Sequence, residues 1–386
     1  MLTMKTRKEV TKIYSKRYRS ARTKKAKGAI LDEVCEMTGW HRKHAIRALS
    51  DKGPAAKTAP ARRGPKPRYG REHRRVVERV WAILDFPCSK RLKAGMRDVI
   101  EALHRSGHDL GVPRRVEREC CGMSASTLDR MLAHDRAAMA PRGIATTKPG
   151  SLLKSQIPIR RGRDWDDAAL GFMEVDTVAH GGGSARGEFC YTLDATDVSS
   201  GWTELRAVRN KAEVHVLQAM RDIRARMPFE LLGIDSDNGS EFINGHFLRY
   251  CEAEDLVFTR GRPYTKNDGC FVEERNWSVV RRVAGYARYE GDEACRLLNE
   301  IYDRQRILTN YFMPSQKLVS KTRDGARTVR FHDDATTPFR RIVGMRGVGK
   351  AARDRMWEEF RSADPLALRM EIYELTQELL KLAVPL

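Results

Sequence analysis

The segment Leu231–Phe242 (LLGIDSDNGSEF) joins a short apolar run to a polar turn. Its apolar beginning predicts a buried strand, and the SDNGS that follows predicts a loop at the carboxyl end of that strand. Gly239 permits a sharp bend, after which Ser and Glu suit the start of a helix. We therefore predict a strand–turn–helix unit that presents the Asp237 carboxylate at the end of a strand.

Two further acids accompany Asp237. Asp176 is embedded in the apolar run Gly171–Val178 (GFMEVDTV), and Glu273 follows Asp237 after a gap of 35 residues. Three carboxylates converge in a protein only with a compensating charge. Their oxygens suit Mg²⁺ or Mn²⁺, and two such ions about 3.5–4 Å apart support an in-line phosphoryl displacement. The pattern predicts a two-metal phosphoryl-transfer site.

The spacing of these acids over residues 171–312 resembles the D, D-35-E core of retroviral integrases and bacterial insertion-sequence transposases. The stretches NYFMPSQKL at Asn310 and TPFRR at Thr337 resemble segments that follow the core in the transposases. The resemblance implies a ribonuclease-H-like α/β core. It also implies that Asp176, Asp237 and Glu273 are catalytic and hold two Mg²⁺ ions, for which Mn²⁺ substitutes.

Other acids near the motif fit it less well. Asp235, Asp268 and Glu274 do not give the same spacing. Asp194 and Asp197, in YTLDATDVSSGW, are predicted to mark the end of the second strand and its turn.

The charge distribution indicates a polyanionic partner. The net charge is +21, and the first 75 residues hold 23 Lys and Arg against 6 Asp and Glu, which places +17 there. Such asymmetry is typical of nucleic-acid binding. No apolar run approaches the roughly 18 residues of a membrane span, and no signal-peptide pattern is present. We therefore expect double-stranded DNA as the partner and no membrane association.

The cysteines give no sign of a metal site. None of the eight forms a CxxC pair, so we expect small core residues in a reducing cytoplasm. His41 and His44 form HxxH without a cysteine pair at zinc spacing. We therefore place these histidines on a DNA-facing helix and predict no structural zinc.

Composition and periodicity predict N-terminal all-α modules, a central α/β core and a C-terminal region with strands and helices. They divide the chain into six segments. These are a basic helix-turn-helix domain at 1–52, a basic Pro/Gly linker at 53–71, a second helix-turn-helix-like domain at 72–136, a linker at 137–168, the catalytic core at 169–312, and a basic β/helical region at 313–386. Core strands are predicted at 171–178, 188–195, 202–208, 230–235 and 256–259, and helices at 211–227 and 240–253.

Several basic side chains are predicted to contact DNA. The second helix of the first module carries three of them for the major groove, namely Arg42, Lys43 and Arg47. The linker either lies in a minor groove or is a tether with incidental charge, and its basic residues are Arg62, Arg63, Lys66 and Arg68. Arg130 lies on the second helix of a motif that either contacts DNA or serves as a packing domain.

The resemblance also implies DNA contacts close to the reacting phosphate. In the loop before Glu273 these are Tyr264, Lys266 and Asn267. On the helix of Glu273 they are Asn276 and Arg281, which share its face at helical spacing. Retroviral integrases carry lysines at two positions where this chain has Trp277 and Val280, so Arg281 or Arg282 is the candidate replacement.

The C-terminal region is predicted to hold short strands and two helices. The runs Thr328–Phe331 and Phe339–Val343 read as strands of a small barrel or an extended arm, and residues 350–382 as two helices. A stripe on the last helix is either a contact between protomers or core, and consists of Leu366, Met370, Tyr373 and Leu380.

These features together predict a cytoplasmic, nucleoid-associated bacterial DNA transposase that works as a homo-oligomer, at least a dimer on DNA. It would nick transposon ends to free 3′-hydroxyls and join them to target DNA. Two alternatives remain open: a catalytically silent, domesticated DNA-binding regulator, and a ribonuclease-H-like nuclease without strand transfer.

Overall fold

The structure, a computed structural model, describes residues 4–50, 68–138, 169–236, 239, 241–242, 244–260, 270–324, 327–345 and 348–384. The chain divides into two compact units, Met1–Arg68 and Tyr69–Leu386. In the described part, no helix has the length and apolar character that crossing a membrane requires.

The first unit is a small helical domain. Its helices are α1 (Met4–Ser20), α2 (Lys24–Thr38) and α3 (Arg42–Ser50). Thr23 caps the start of α2, and Gly39, at φ 70°, ends it in the left-handed conformation that glycine adopts without strain. Leu31 and Val34 of α2 pack against Ala45 and Leu49 of α3. Both predicted helices are present, and their assignment as a DNA-binding helix-turn-helix stays a prediction.

The second unit begins with four helices. They are α4 (Arg71–Ile83), α5 (Ser89–Arg105), α6 (Arg114–Cys121) and α7 (Ala125–Ala138). Ser124 Oγ accepts the Thr127 backbone N–H at 3.2 Å and so caps the start of α7. The apolar faces of these helices share one hydrophobic cluster with one side of the central sheet and with the C-terminal helices.

A five-stranded mixed sheet forms the centre of the second unit. Its strands lie in the order β3-β2-β1-β4-β5 and are β1 (Phe172–Ala179), β2 (Tyr191–Asp197), β3 (Thr203–Val208), β4 (Gly233–Ser236) and β5 (Val257–Arg260). β2 is antiparallel to both β1 and β3, whereas β1, β4 and β5 run parallel. This mixed α/β core confirms the ribonuclease-H-like sheet that the resemblance implied.

Helices cover both sides of the sheet. On one side, α8 (Glu213–Arg226) and α9 (Gly245–Ala253) pack on the apolar residues of β1, β2 and β4. The other side carries two helical segments separated by residues 285–290. The first consists of α10 (Cys270–Arg275), π1 (Asn276–Arg281) and α11 (Arg282–Ala284), and the second of α12 (Gly291–Ile307) and π2 (Leu308–Phe312).

The C-terminal region differs in part from its prediction. β6 (Leu318–Asp324) pairs with β7 (Arg327–His332), so the predicted strand at 328–331 is present. The predicted strand at 339–343 is wrong, because these residues lie in helix α13 (Pro338–Gly344). Thr337 caps that helix, proline is tolerated in its first turn, and Phe339 and Ile342 are buried three residues apart. The two last helices, α14 (Lys350–Ser362) and α15 (Pro365–Lys381), were predicted correctly.

Candidate active site

Alternation along β1 separates apolar from acidic side chains. Met173 and Val175 face the cluster under α8 and α9, so Glu174 and Asp176 face the opposite side of the sheet. Asp194 of β2 lies directly opposite Asp176 in the antiparallel register, and Asp235 of β4 pairs with Glu174 in the parallel register. We call these four carboxylates the acidic face: Glu174, Asp176, Asp194 and Asp235.

Helix α10 is held on this acidic face by two hydrogen bonds. The backbone N–H of Val272 donates to Glu174 Oε2 at 3.3 Å. The side-chain amide of Asn276 donates to Asp176 Oδ2 at 2.6 Å. Glu273 lies between these two donors in the sequence, and its side chain is exposed. The structure thus ties the short helix that carries one predicted acid to the strand that carries another.

The second predicted acid, Asp237, lies outside the described residues. The residue before it, Ser236, pairs with Val175 in the parallel register of β4 and β1, and Val175 directly precedes Asp176. Its near neighbour Asp235 is buried and accepts a 2.6 Å hydrogen bond from the Thr259 hydroxyl. Asp235 therefore has a partner within the sheet that links β4 to β5.

Asp194 was predicted to mark the end of a strand, and that prediction is wrong. Asp194 lies in the middle of β2 and is fully buried beside Asp176. Burial raises the pKa of Asp194 well above its usual range, while the Thr196 hydroxyl and the Arg275 charge act in the opposite direction and Asp176 and Glu174 raise it further. The alternating pattern of YTLDATD was the available signal, since it places Asp194 and Thr196 on one face.

Asp197, in contrast, is the turn residue that the sequence predicted. Its carboxylate accepts the backbone N–H groups of Ser200 at 2.6 Å and Gly171 at 2.9 Å. It therefore closes the β2–β3 turn and fixes the start of β1.

The loop that follows β4 contributes one acid that the sequence analysis did not single out. Glu241, which is 9% exposed, accepts a 2.7 Å hydrogen bond from the hydroxyl of Thr177. Thr177 directly follows Asp176, and its backbone N–H donates to Asp176 Oδ1 at 2.7 Å. Thr177 therefore joins the end of the DNGSEF segment to the acid on β1.

The helix of Glu273 changes its winding at Asn276, where the π-helical segment begins. Segments of this type are rare and recur at functional sites. Arg281, at the end of the segment, donates to the carbonyls of Ala179 at 2.9 Å and Gly285 at 3.2 Å. Burial lowers the pKa of Arg281. Its guanidinium thus anchors protein backbone, and its predicted contact with DNA stays a prediction.

A buried arginine balances part of the acidic face. Arg275, which is 6% exposed, donates to the carbonyl of Gly201 at 3.1 Å. Its positive charge acts on Asp194, and burial lowers its own pKa. Because the acids outnumber this one buried cation, the face retains negative charge that a bound cation would offset.

Two ion pairs connect the helical segment that carries Glu273 with the four-helix segment. Arg91 of α5 pairs with Glu274, and Asp85, in the turn after α4, pairs with Arg282. The segment α4–α7 is therefore attached on both sides of π1.

The remaining predicted DNA contacts are dispersed. Lys43 and Arg47 are exposed on α3, whereas Arg42 pairs with Asp32. Arg130 is exposed on α7, and Arg68 is exposed before α4. The other predicted contacts lie outside the described residues, namely Arg62, Arg63, Lys66, Tyr264, Lys266 and Asn267.

The donor chemistry of the acidic face suits a hard divalent cation. Its available ligands are carboxylate oxygens, and neither histidine nor cysteine lies among the four acids. Within the described ranges, no three His, Cys, Asp or Glu residues form a metal-binding group. Of the three predicted ligands, the described residues include Asp176 and Glu273.

Comparison with known proteins gives three similarities. Residues 166–266 match the family model described as "Integrase core domain". The chain is 39% identical over 342 residues to the uncharacterized protein y4rM of Sinorhizobium fredii, covering 88% of this chain and 96% of that protein. A crystal structure of the catalytic core domain of BIV integrase superimposes with a TM-score of 0.30 at 17% identity, covering 45% of this chain and 93% of that one. Because that superposition is too loose to support an argument, the fold assignment rests on the strand order and the family match.

Proposed function

Because this chain belongs to the same family as y4rM of Sinorhizobium fredii and carries an integrase core domain, we propose that it is a DDE-type transposase of a bacterial insertion sequence. It would bind the terminal repeats of the element as at least a dimer, nick them and join the freed ends to target DNA.

One observation carries the proposal: the docking of α10 on β1. Hydrogen bonds from Val272 and Asn276 to β1 flank Glu273 and bring its helix to Asp176. The parallel pairing of β1 with β4 supports the third position, because Val175 and Ser236 are partners and each directly precedes a predicted acid in the sequence. A half-buried carboxylate needs hydrogen-bond donors, and here the segment that carries Glu273 supplies them, which supports placing Glu273 near Asp176.

The residues proposed to hold the metal are Asp176, Asp237 and Glu273. Bound Mg²⁺ ions would lower the pKa of an attacking water and offset charge on the scissile phosphate and the leaving oxygen. The acidic face fits such ions because it offers only oxygen ligands and carries excess negative charge.

The protein's own residues would prepare Asp176 for this task. Asn276 and the Thr177 N–H each donate to one oxygen of the Asp176 carboxylate, which fixes its plane. The raised pKa of Asp194 favours its neutral form, so Asp194 adds less negative charge beside Asp176. The hydrogen bond from Thr177 would hold Glu241, four residues after Asp237 in the sequence, against β1.

Two displacements would follow at this site. In the first, a water oxygen forms a bond to the phosphorus at the transposon end, and the bond from phosphorus to the 3′ oxygen breaks, leaving a 3′-hydroxyl. In the second, that hydroxyl oxygen attacks a target phosphate, and the 3′ oxygen of the target strand leaves as a hydroxyl. No covalent enzyme intermediate is involved.

The test is a cleavage and joining assay with the full chain and labelled duplexes taken from the DNA on either side of its gene. We expect Mg²⁺-dependent nicking, abolished by EDTA, and a loss of about 1,000-fold or more in Asp176→Asn, Asp237→Asn and Glu273→Gln. Glu274→Gln is the matched control, because this adjacent carboxylate pairs with Arg91 at the surface, and it should keep its rate within about threefold.

The outcomes separate the proposal from its rivals. Nicking by Glu273→Gln at the wild-type rate would exclude the assignment of the site. Cleavage without joining would identify a nuclease, and specific binding without cleavage by the wild-type protein would identify a silent regulator.

A further inference from the structure

The C-terminal helix α15 has two apolar faces, and the protein uses one of them. Ile372 and Leu379 are buried against the rest of the second unit. On another side of the helix, Met370, Tyr373 and Leu380 are 55%, 65% and 47% exposed. These residues were predicted to be a protomer contact or core, and the structure leaves them at the surface.

The exposed residues follow the spacing of a helix–helix seam. From Leu366, which is half-buried, the positions advance by four and then three residues to Met370 and Tyr373. The exposed Gln377 fills the next position, and Leu380 follows it three residues later. Alternating steps of three and four place knobs on one stripe that a second helix can cover. We call these five residues the α15 seam.

The rest of the protein holds this helix firmly. Arg304 Nε donates to Glu371 at 2.7 Å, and Arg369 Nε donates to the carbonyl of Ile83 at 2.9 Å. Glu371 lies on a different side of α15 from the seam, whereas Arg369 borders the seam but is bound to Ile83, so the α15 seam is presented on a supported helix.

We propose that the α15 seam is a self-association surface on which α15 of a second copy of this chain packs antiparallel, with its twofold axis near Gln377. In that arrangement Tyr373 of one copy meets Leu380 of the other, twice. The polar Gln377 faces its own equivalent at the axis, where a single polar residue in an apolar seam fixes the register of the pair.

Charge complementarity favours the antiparallel direction. Glu374 and Lys381 are one heptad apart and border the seam on the same flank. They lie at equal distances from a point next to Gln377, so an antiparallel partner places each Glu374 against Lys381 of the second copy. In a parallel pair in register, Glu374 would instead face Arg369 of the second copy, whose guanidinium donates to the Ile83 carbonyl, and Lys381 would face the uncharged Thr376.

The expected contact is small. With the axis near Gln377, the two helices overlap only from Tyr373 to Lys381, which is about 13 Å of each helix. A pair of such helices buries less than the roughly 1,200–2,000 Å² of a standard stable interface. We therefore expect a dissociation constant on the order of 10 µM without DNA. Two catalytic cores on neighbouring DNA ends would meet at a high effective concentration, which strengthens the same contact.

Charge exchange tests the surface and its direction together, by sedimentation equilibrium of the full chain without DNA. Glu374→Lys and Lys381→Glu each place two like-charged pairs at the interface, so each variant alone should dissociate at least about tenfold more readily. An equimolar mixture should recover the wild-type constant, because both pairs become attractive in the mixed dimer. A monomeric wild-type protein up to about 100 µM, or a mixture as weak as its components, overturns the proposal.

A cysteine at the axis gives an independent check. Gln377→Cys should form a disulfide between copies under mild oxidation, since the two sulfurs face each other across the axis. The matched control is Glu378→Cys, because Glu378 is also exposed but lies about 100° further round the helix. Equal cross-linking of both variants would contradict the register. Cross-linking does not depend on catalysis, so its result stands whether or not the protein cleaves DNA.

Discussion

The side-chain amide of Asn276 donates a 2.6 Å hydrogen bond to Oδ2 of Asp176 and thereby links the helix of one predicted acid to the strand of another. The predicted contact of Asn276 with DNA stays a prediction. If Asp176 binds metal as proposed, the bond from Asn276 makes Asn276 a positioning residue that acts through that carboxylate. Its own Oδ1 is buried without a hydrogen-bond partner among the described residues.

Asn276→Ala should weaken catalysis through the metal. Removing the amide frees the Asp176 carboxylate to rotate, and the loss of such a supporting contact costs about 10–100-fold in activity or metal affinity. We expect the Mg²⁺ concentration for half-maximal nicking to rise about tenfold. The measurement is a Mg²⁺ titration of the nicking rate.

The control for Asn276 is Ser278→Ala. Ser278 lies in the same π-helical segment, and its buried hydroxyl has no hydrogen-bond partner among the described residues. This variant should keep the wild-type Mg²⁺ dependence. A loss of rate in Asn276→Ala at an unchanged Mg²⁺ midpoint would contradict the positioning role.

Asp194→Asn should make the protein more stable at neutral pH. Burial raises the pKa of Asp194 in the folded state, so in the pH range between the two pKa values the folded protein binds more protons than the unfolded chain. The free energy of unfolding therefore falls as pH rises from about 4 towards the folded pKa. Each pKa unit of elevation corresponds to about 1.4 kcal/mol at high pH.

Urea denaturation at several pH values checks this prediction. The difference between Asp194→Asn and wild type should be small near pH 4 and should grow as the pH rises. Asp334→Asn, which removes an exposed carboxylate, should show no such growth. A pH-independent difference for Asp194→Asn would mean that Asp194 is ionised in the folded protein.

The local pattern of apolar and polar residues was sufficient to predict much of the fold. Alternating and helical periodicity located the strands around Asp176 and before Asp237, as well as the last two helices, because burial of one face imposes a regular repeat. The residue that faces Asp176 on the neighbouring strand could not be predicted from periodicity. The register of β1 against β2 depends on pairing between distant segments, and it alone shows that Asp194 faces Asp176.

Two other features of the structure were not predicted from the sequence, for different reasons. The π-helical winding from Asn276 to Arg281 depends on backbone hydrogen bonds that residue types do not predict, so α-helical spacing did not reveal it. The error at residues 339–343 was avoidable. A threonine followed by proline predicts a helix start, and Thr337 with Pro338 forms one.

Lys43 and Arg47 on α3 should carry part of the electrostatic affinity for DNA. Both are exposed, and neither has an ion-pair partner in the described part of the first unit. If each neutralises one phosphate, the double variant Lys43→Ala/Arg47→Ala should lower the salt dependence of binding, with the log–log slope falling by about 0.9 per lost contact. Binding to a random-sequence duplex between low and moderate salt provides the measurement.

Arg296→Ala is the comparison for these two residues. Arg296 is also a half-exposed cation, but it lies on α12 and pairs with Glu300. Its removal should leave the salt slope unchanged. An unchanged slope in Lys43→Ala/Arg47→Ala would remove α3 from the DNA-binding surface.

The buried Arg306 should be among the costliest residues to replace. Its guanidinium donates to Glu204 at 2.8 Å and to Glu359 at 2.6 Å, and Glu204 is only 1% exposed. Arg306→Met leaves the buried Glu204 carboxylate with the more distant cation Arg226, 3.9 Å away, so the cost should lie near the lower end of about 3–5 kcal/mol. Arg304→Met, on the same helix, removes a partly exposed pair with Glu371 and should cost less than about 1 kcal/mol.

A double variant separates the lost charge balance from lost packing. Glu204→Gln removes the negative charge of the Glu204 carboxylate and keeps an acceptor for the hydrogen bond that the Trp202 indole donates at 2.8 Å. Arg306→Met/Glu204→Gln should therefore unfold at a higher denaturant concentration than Arg306→Met alone, because the carboxylate that needed the cation is gone. If the double variant is the less stable of the two, the Glu204 carboxylate stabilises the fold even without Arg306, through Arg226 at 3.9 Å and the Trp202 indole.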